Sequence, residues 1–390
     1  MSRMKNWFRS DRGLLRTTYG FDDVSLAPGE VTIDPKDVDV STTIGGEKLD
    51  IPVLGAAMDG VIDPRMVVEM GRLGGWGVLN LEGLFTRYDD PYPLIQEMIN
   101  QPQEKVTDFI QEIYQAPIKE HLVGERIQQI KKEGVKAVAS LTPSRAEALG
   151  RVAQEAGLDV LVIQSTVTTL HYYSSTSQVL DLEKFCRETP IPVIVGNCAT
   201  YKVALELMKV GAAGILVGIG PGAACTTRAV LGLGVPQVTA TWDAARARDT
   251  YLEATGRYVA VITDGGMRVG GDIAKAIASG ADAVMLGSPL ASAQEAPGRG
   301  HHWGMATPDP NLPRGTLVKV GIKGTLKEIL LGPSHLTDGT MNLVGALRSS
   351  MGSLGVRNIQ EMQEVEIIVA PSIWTEGKSL QRAQGVGMGK

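Results

Sequence analysis

The segment GILVGIGPGAACTTR, residues 214–228, places a cysteine at the end of a glycine-rich loop that comes directly after an apolar run. Glycines at this density let successive N–H groups converge on an anion, or successive carbonyl oxygens converge on a cation. N–H dipoles close to a thiol favour the thiolate, which is the nucleophilic form of cysteine. We therefore expect Cys225 to be a nucleophile; the alternatives are a small buried side chain and one ligand of a metal.

The other two cysteines lie in different surroundings. Cys186 falls within a helical pattern, LEKFCRE, and Cys198 lies at the end of an apolar run, so both are expected to be buried. Three cysteines without a CxxC pair predict neither a disulfide framework nor a structural zinc site.

Two short glycine-containing turns also come after apolar runs: DGG at residues 264–266 and LGS at residues 286–288. In many barrels the loops after the last two strands bind phosphate through their backbone N–H groups. The carboxylate of Asp264 is suited to accept hydrogen bonds from a ribose diol. The alternative is that DGG is an ordinary turn and that Asp264 caps a helix.

Composition excludes several classes of protein. The chain has 390 residues, 43% of them hydrophobic, which is enough for a substantial core. A net charge of -5 and a pI near 5.7 give no basic field for nucleic acid, and no run of 18 apolar residues indicates a membrane span. The first residues lack the apolar stretch of a secretory signal, so we expect a cytoplasmic protein with small-molecule partners.

Short apolar runs recur along the chain and must position these loops. They are nearly continuous in Val, Ile and Leu, which is typical of buried parallel strands. The eight runs are 51–58, 76–81, 136–142, 159–167, 192–200, 214–220, 258–266 and 283–290.

Most of these runs are introduced by an amphipathic segment that stops at a glycine. The glycines, where a left-handed cap needs no Cβ, are Gly74, Gly134, Gly157, Gly211 and Gly280. Alternating helices and strands require parallel pairing, and about eight such units predict an α/β fold, a closed (β/α)8 TIM barrel. An open doubly wound sheet is the alternative. In a barrel, the residues just after each strand carry the chemistry.

Two segments are longer than the repeat requires. We expect residues 83–132 to form a helical excursion between strands two and three, and residues 292–325 to form a flap over the active site. The whole chain, residues 1–390, is then a single barrel domain.

The sequence resembles the IMP dehydrogenase and GMP reductase family along nearly its whole length. GILVGIGPGAACTTRAVLGLGVPQ resembles the catalytic cysteine loop of that family, and TDGGMRVGGDIAKAIASGADAVMLGS resembles its phosphate-site stretch. YGFDDVSLAP, IPVLGAAMDGV and NLVGALRSSMGSLG resemble further family segments. Family members are (β/α)8 barrels, and many carry two CBS modules after the second strand. The excursion is too short to hold such modules, so a member with no CBS domains and a mobile C-terminal flap is expected.

The resemblance implies IMP dehydrogenase activity. In that reaction the cysteine adds to carbon 2 of the purine, NAD+ takes a hydride, and the covalent thioimidate is hydrolysed to XMP. By position, the resemblance implies that Cys225, Thr227 and the flap residue Arg314 are catalytic. It implies that the substrate is bound by Met58, Asp264, Gly266, Gly287, Ser288, Gly304 and Met305. NAD would be bound by Gln164, Asn197 and Gly218, and K+ by the backbone of Gly220, Gly222 and Cys225.

The sequence departs from the family pattern at several of these positions. A family aspartate on strand four is Gln164 here, and a basic residue on strand six is Leu216. A phosphate-loop serine is Ala223, a phosphate-binding tyrosine is His302, the tyrosine of the flap pair is Gly315, and the residue that grips the base is Val320. Gln164 can hydrogen bond but carries no charge, so a slower reaction or an altered cofactor geometry is expected.

The resemblance also implies a homotetramer, or an octamer of two tetramers, in which Glu376 and Gly377 could complete a neighbour's cation site. The alternative is that these residues belong to a frayed tail. Two alternatives to the dehydrogenase stay open. One is a GMP reductase, although the family places a glutamate where Pro308 stands here, with Asp309 nearby. The other is a noncatalytic protein that binds purine nucleotides.

Overall fold

A computed structural model describes residues 15–174, 179–304, 316–372 and 376–387. The strands in these ranges are β1 (Val24–Leu26), β2 (Thr42–Ile44), β3 (Glu47–Leu49), β4 (Val53–Gly55), β5 (Trp76–Asn80), β6 (Val138–Leu141), β7 (Val160–Gln164), β8 (Val193–Cys198), β9 (Gly214–Val217), β10 (Ala260–Asp264), β11 (Ala283–Leu286), β12 (His301–Trp303), β13 (Leu317–Lys319) and β14 (Ile367–Val369).

The helices of the same ranges are α1 (Pro64–Arg72), α2 (Tyr92–Ile99), α3 (Val106–Ile113), α4 (Glu120–Lys132), α5 (Ala146–Glu155), α6 (Leu182–Glu188), α7 (Tyr201–Lys209), α8 (Thr227–Leu231), α9 (Gln237–Thr255), α10 (Gly270–Ala278), α11 (Ser288–Ala291), α12 (Leu326–Leu331), α13 (Leu343–Leu354), α14 (Ile359–Met362) and α15 (Ser379–Gln384). Among the described residues, no helix is long and apolar enough to cross a membrane.

Eight parallel strands close into a barrel in the order β10-β11-β4-β5-β6-β7-β8-β9. Closure is complete because β9 pairs with β10 and β11 pairs with β4. The predicted (β/α)8 TIM barrel is therefore confirmed, and the open doubly wound sheet is excluded. Each of the eight apolar runs contains one barrel strand.

Successive side chains along each strand point alternately into the barrel interior and outward to the helices, so the apolar residues form two cores. On β7, Val160 and Val162 point into the barrel interior, whereas Leu161 and Ile163 pack against the surrounding helices. All four are fully buried. Because both faces of every strand are covered, the strand sequences are continuously apolar, and this made them recognisable.

The helix-to-strand turns use the left-handed conformation that the sequence predicted. The φ values of Gly74, Gly134, Gly157, Gly211 and Gly280 lie between 73° and 103°. A side chain at these positions would be strained, so glycine is required where each helix gives way to a strand.

The β2–β3 hairpin closes the amino-terminal end of the barrel. Ile44 and Leu49 from this hairpin join the interior core, and the turn at Gly45 lies against Pro192 and Ala213, which immediately precede β8 and β9. The opposite end, where the strands finish, stays open and carries the loops.

The segment between β5 and β6 contains three helices with different roles. α4 packs against α1 and α5 as part of the outer ring. α2 and α3 form a separate apolar cluster that includes Phe85, Ile110, Tyr114 and Trp303. Trp303 belongs to β12, which pairs antiparallel with β13. The excursion therefore packs against the base of the region predicted to form the flap; residues 305–315 of that region lie outside the described residues.

Candidate active site

A cavity of about 390 Å³ lies at the carboxyl ends of the barrel strands. It is lined by all described residues of the predicted catalytic, substrate-binding, NAD-binding and K+ sets: Met58, Gln164, Asn197, Gly218, Gly220, Gly222, Cys225, Thr227, Asp264, Gly266, Gly287, Ser288 and Gly304. Glu376 and Gly377, predicted to act in a neighbouring copy, do not line this cavity. Met305 and Arg314 lie outside the described residues. Loops that are far apart in sequence thus converge on one space, as the barrel topology requires.

The cysteine loop connects β9 to α8. Cys225 is exposed to the cavity, and its backbone N–H donates to Gly222 O at 3.0 Å. Its Sγ donates to Oγ1 of Thr227 at 3.1 Å, and Thr227 is almost completely buried at the start of α8. The loop thus presents the sulfur to the cavity beside a hydroxyl held by the first turn of a helix.

Gly218 starts this loop where the backbone passes close to β10. Its φ is 151°, and a Cβ there would lie 2.3 Å from Asp264 O and 2.9 Å from Gln237 Nε2. Nε2 of Gln237 donates to Val217 O at 2.6 Å and to Asp264 O at 3.3 Å. A side chain at position 218 would push the loop away from β10, so glycine fixes the direction in which it leaves the barrel.

Asp264 accepts hydrogen bonds from both amide side chains predicted to bind NAD+. Nδ2 of Asn197 donates to its Oδ2 at 2.7 Å, and Nε2 of Gln164 donates to the same oxygen at 3.2 Å. Gln164 also donates to Asn197 Oδ1 at 3.1 Å. Burial raises the pKa of Asp264 to about 6, partly offset by the hydrogen bond from Asn197. The sequence did not predict this triad of side chains.

Ser288, in the second of the two turns predicted to bind phosphate, contacts a buried histidine of β12. Its Oγ lies 2.9 Å from Nε2 of His302, a residue that is 2% exposed. Burial lowers the pKa of His302 to about 4, with a smaller contribution from neighbouring His301, so the ring is neutral near pH 7. Nδ1 of His302 is buried and finds no hydrogen-bond partner in the described part of the chain.

A buried series of hydrogen bonds connects β12, beside the cavity, to the excursion at the end of α3. Trp303 Nε1 donates to the hydroxyl of Tyr114 at 2.8 Å, and that hydroxyl donates to Oδ2 of Asp59. Burial raises the pKa of Asp59 to about 6. Asp59 comes directly after Met58 and Trp303 precedes Gly304, so this series of bonds links two residues that line the cavity.

The residues that depart from the family pattern lie in different places. Leu216 is fully buried in the barrel interior core, so no charged group can take its position without repacking. Ala223 lines the cavity. Val320 packs against the outer core, and its N–H donates to Gly300 O at 2.8 Å.

The remaining cysteines are structural, as the sequence predicted. Cys186 and Cys198 are buried, and burial raises the pKa of each thiol to about 12. Both thiols stay protonated at neutral pH and are inert.

Sequence reasoning missed a polar group on the opposite wall of the cavity. Asn80, Glu82, Ser140 and Thr142 all line the cavity at the ends of β5 and β6. Apart from Gly304, which follows β12, the other site residues lie at the carboxyl end of a barrel strand or in the loop after it, and these four lie at equivalent places on β5 and β6.

No group of three or more His, Cys, Asp or Glu side chains able to hold a metal ion occurs within the described ranges. The K+ site that the resemblance implies would use backbone carbonyl oxygens instead. Gly222 O already accepts the N–H of Cys225, and its second lone pair is available for a cation.

The fold and the site together define a (β/α)8-barrel protein with an accessible cysteine in a carboxyl-end cavity. Residues 18–307 match the model of the IMP dehydrogenase / GMP reductase domain. The chain belongs to this family, whose members are oxidoreductases.

The relatives include proteins with and without an assigned substrate. An uncharacterized oxidoreductase of Mycolicibacterium smegmatis is 40% identical over 363 residues, covering 91% of this chain and 97% of that protein. The inosine-5'-monophosphate dehydrogenase of Methanocaldococcus jannaschii is 29% identical over 478 residues, covering 92% of this chain and 94% of that protein.

A solved structure is similar along most of its length. The crystal structure of an IMP dehydrogenase/GMP reductase-like protein from Corynebacterium glutamicum has a TM-score of 0.86 and 36% sequence identity. The match covers 91% of this chain and 95% of that chain.

Proposed function

We propose that the protein is an IMP dehydrogenase that oxidises IMP to XMP with NAD+. The observation that carries this proposal is the contact of Cys225 with Thr227 inside a cavity that also holds Asp264 and Ser288. A nucleophile, a carboxylate that can accept hydrogen bonds from a ribose diol, and a loop predicted to bind phosphate therefore line the same cavity. The volume of about 390 Å³ is within the usual range for small-molecule sites.

The substrate would be oriented by its phosphate and ribose. Gly266, Gly287 and Ser288 would bind the phosphate through backbone N–H groups and the serine hydroxyl, with neutral His302 supporting Ser288. Asp264 would accept the ribose hydroxyls. Met58 would contact the purine base, and its sulfur lies 3.2 Å from the position that a Cβ on Gly287 would occupy.

Cys225 would supply the covalent chemistry. Its thiolate adds to carbon 2 of the hypoxanthine ring, and a hydride then leaves that carbon, which gives a thioimidate. NAD+, held by Gln164, Asn197 and Gly218, supplies the hydride acceptor. Water adds to the thioimidate and the sulfur leaves, giving XMP and the free thiol. The amide groups of Gln164 and Asn197 fit a carboxamide ligand, provided that they release Asp264 on binding.

Two residues would assist the hydrolysis. Thr227 Oγ1, 3.1 Å from the sulfur, is placed to orient water at the carbon that the sulfur binds. Arg314 would activate that water from the flap; it lies outside the described residues. K+ at the carbonyl oxygens of Gly220, Gly222 and Cys225 would hold the cysteine loop.

Assembly is a separate part of the proposal. We propose a cytoplasmic homotetramer, or an octamer of two tetramers. Val230, Leu233 and Trp242, on or near α8 and α9, are about half exposed in a single copy, which supports burial of this face between copies. Sedimentation equilibrium would give a tetramer or octamer mass, whereas a monomer at micromolar concentration would contradict the assembly.

The reaction is tested by steady-state turnover with purified protein, K+ and two substrate pairs. IMP with NAD+ should yield XMP and NADH at equal rates. NADPH-dependent conversion of GMP to IMP, without the first reaction, would establish the reductase instead. Nucleotide binding without turnover of either pair would establish the noncatalytic alternative, which the replacement of a charged family position by Leu216 favours.

A further inference from the structure

The segment 218–236, which contains the cysteine loop and α8, begins and ends at the same place in the barrel. It leaves the end of β9 after Val217 and returns at Gln237, the first residue of α9. Nε2 of Gln237 donates to Val217 O at 2.6 Å, so one side chain joins the two ends of the segment. Cys225 therefore lies within a loop that is closed at its base by this bond.

The same amide also contacts the neighbouring strand. Nε2 of Gln237 donates to Asp264 O at 3.3 Å, and Asp264 is the last residue of β10. Val217 pairs with Thr263, one residue before Asp264. One nitrogen thus connects the carboxyl ends of two adjacent strands, of which the first leads to Cys225 and the second carries the Asp264 carboxylate.

The surroundings of Gln237 determine how its amide is oriented. The residue is 3% exposed, and a flipped amide would place Oε1 against two carbonyl oxygens, neither of which can donate. Oε1 is buried and accepts no hydrogen bond within the described part of the chain. Buried unpaired polar atoms are few in native proteins, and each needs an explanation. Here the explanation is that the amide is committed to the two contacts of Nε2.

The helix that carries Gln237 is itself anchored in its first two turns. Thr239 N, one of the backbone N–H groups that have no partner within the helix, donates to Tyr19 O at 3.1 Å. Thr239 Oγ1 accepts from Tyr19 N at 2.8 Å. Oγ1 of Thr241 lies 2.7 Å from Oγ1 of Thr263 in a buried contact that fastens α9 to β10. Gln237 therefore extends from a helix that cannot shift without breaking these contacts.

A second side chain joins the two halves of the segment closer to Cys225. Arg228, on α8, donates from Nε to Ile219 O at 3.2 Å and from Nη2 to Val235 O at 2.9 Å. Arg228 is exposed, so water competes for these contacts. The buried amide of Gln237 has no such competition, and we assign to it the larger part in closing the segment.

We propose that Gln237 is a positioning residue that sets the place of Cys225 relative to Asp264. Cys225 would attack the base while Asp264 holds the ribose of the same nucleotide, so the two strand ends must keep a fixed separation. This inference rests on the proposed function, which makes Cys225 the nucleophile and Asp264 the ribose acceptor. A misplacement of about 1 Å can lower the rate of such a step about 100-fold.

The test compares two glutamines that donate from Nε2 to a backbone carbonyl. Gln237→Met removes both hydrogen bonds at the base of the segment and fills nearly the same volume. Gln363→Met is the matched control, because Gln363 Nε2 donates to Ala281 O at 2.9 Å and to Asp282 Oδ1 at 3.2 Å, directly before β11 at the opposite end of the barrel.

Stopped-flow measurement of the first NADH formed from saturating IMP and NAD+ gives the rate, and calorimetric titration gives the affinity for IMP. We expect Gln237→Met to lower this rate about 100-fold and to leave the affinity for IMP within about threefold of the wild type. Gln363→Met should change neither quantity. A fall in affinity without a fall in rate would show that Gln237 acts on nucleotide binding and does not position Cys225.

Gln237→Glu supplies a signature that packing alone cannot give. A carboxylate has no hydrogen for Val217 O, whereas a protonated carboxyl group can donate to it. Burial raises the pKa of such a carboxyl group, so the rate relative to the wild type should rise as the pH falls from 8 to 6. The relative rate of Gln237→Met should stay constant. Asp264 titrates in all three proteins, and its contribution cancels in the ratio.

Hydrogen exchange tests the closure of the segment without any substrate. The amides of residues 218–236 should exchange faster in Gln237→Met than in the wild type or in Gln363→Met, because the segment opens at its base. Unchanged exchange in Gln237→Met, or equal losses of rate in the two methionine variants, would overturn the inference. If the wild type turns over no IMP, the proposed function fails and exchange alone decides whether Gln237 closes the segment.

Discussion

Asn197 Nδ2 donates a 2.7 Å hydrogen bond to Asp264 Oδ2 and so joins the end of β8 to the end of β10. β9 lies between these strands in the barrel, and the cysteine loop leaves from its end. The bridge therefore spans the base of the loop that presents Cys225. A ligand that takes the place of Asn197 on Asp264 Oδ2 would break this bridge at the base of the cysteine loop.

Selective alkylation tests the accessibility of Cys225. Iodoacetamide should modify Cys225 and leave Cys186 and Cys198 unmodified, because both of these are buried with pKa values raised to about 12. Peptide mass spectrometry after a short exposure at pH 8 measures this. IMP should protect Cys225. Equal modification of all three cysteines in the folded protein would contradict the assignment.

Asp264→Asn should stabilise the unliganded protein while it weakens nucleotide binding. The pKa of Asp264 is about 6 when folded and near its ordinary value of 3.8 when unfolded, so its favourable contribution exists below about pH 4 and is lost as the pH rises through 6. At pH 8 the folded protein bears the full cost of the buried charge, up to about 3 kcal/mol at 1.36 kcal/mol per pKa unit.

Urea unfolding of Asp264→Asn and of the wild type at pH 4 and pH 8 measures how much free energy of unfolding the buried charge costs at each pH. The variant should gain stability relative to the wild type at pH 8, and the gap should shrink toward pH 4. A gap of the same size at both values would show that the ionisation of Asp264 has no part in it. Affinity for IMP should fall in the variant, because a ribose acceptor is lost.

His302 should act through the hydrogen bond to Ser288. His302→Phe removes this bond and should raise KM for the nucleotide about tenfold, since one hydrogen bond contributes about 1 kcal/mol or slightly more. His302→Gln can restore a polar contact to Ser288 and should recover most of the loss. Equal KM values for the two variants would mean that packing at this position matters and the hydrogen bond does not.

Tyr114→Phe tests the link between the excursion and β12. The change leaves Trp303 Nε1 without an acceptor and Asp59 Oδ2 without the Tyr114 donor, which should cost about 2–4 kcal/mol of unfolding free energy. Because the pKa of Asp59 is about 6, the loss should be larger at pH 8, where the carboxylate is charged, than at pH 5. Tyr88→Phe, whose hydroxyl donates to Ile113 O nearby, is the control and should lack this pH dependence.

The barrel could be predicted because each strand is buried on both faces. Runs such as 159–167 and 192–200 are apolar without alternation, and a left-handed glycine separates most of the helices from the strand that follows. The converging loops could then be inferred from topology, because parallel strands bring their carboxyl ends together. Cys225 was identified by its loop, since a cysteine in an apolar strand such as Cys198 leaves no comparable pattern.

Contacts between distant segments could not be predicted from local pattern. The bond from Trp303 to Tyr114 joins residues 189 positions apart, and neither residue lies in a recognisable motif. The triad of Gln164, Asn197 and Asp264 depends on which rotamers the amides adopt across three strands. Tertiary packing determines which of these contacts form, and it cannot be inferred from the residue types alone.

The covalent bond between Cys225 and the purine ring is the central step of the proposed reaction. The most direct measurement is acid quench of the enzyme during turnover of radiolabelled IMP with NAD+, followed by peptide mapping. We predict label on the peptide that contains Cys225, dependent on NAD+, with no label and no XMP from Cys225→Ala. XMP formation by Cys225→Ala, or wild-type turnover with label on another residue, would contradict it.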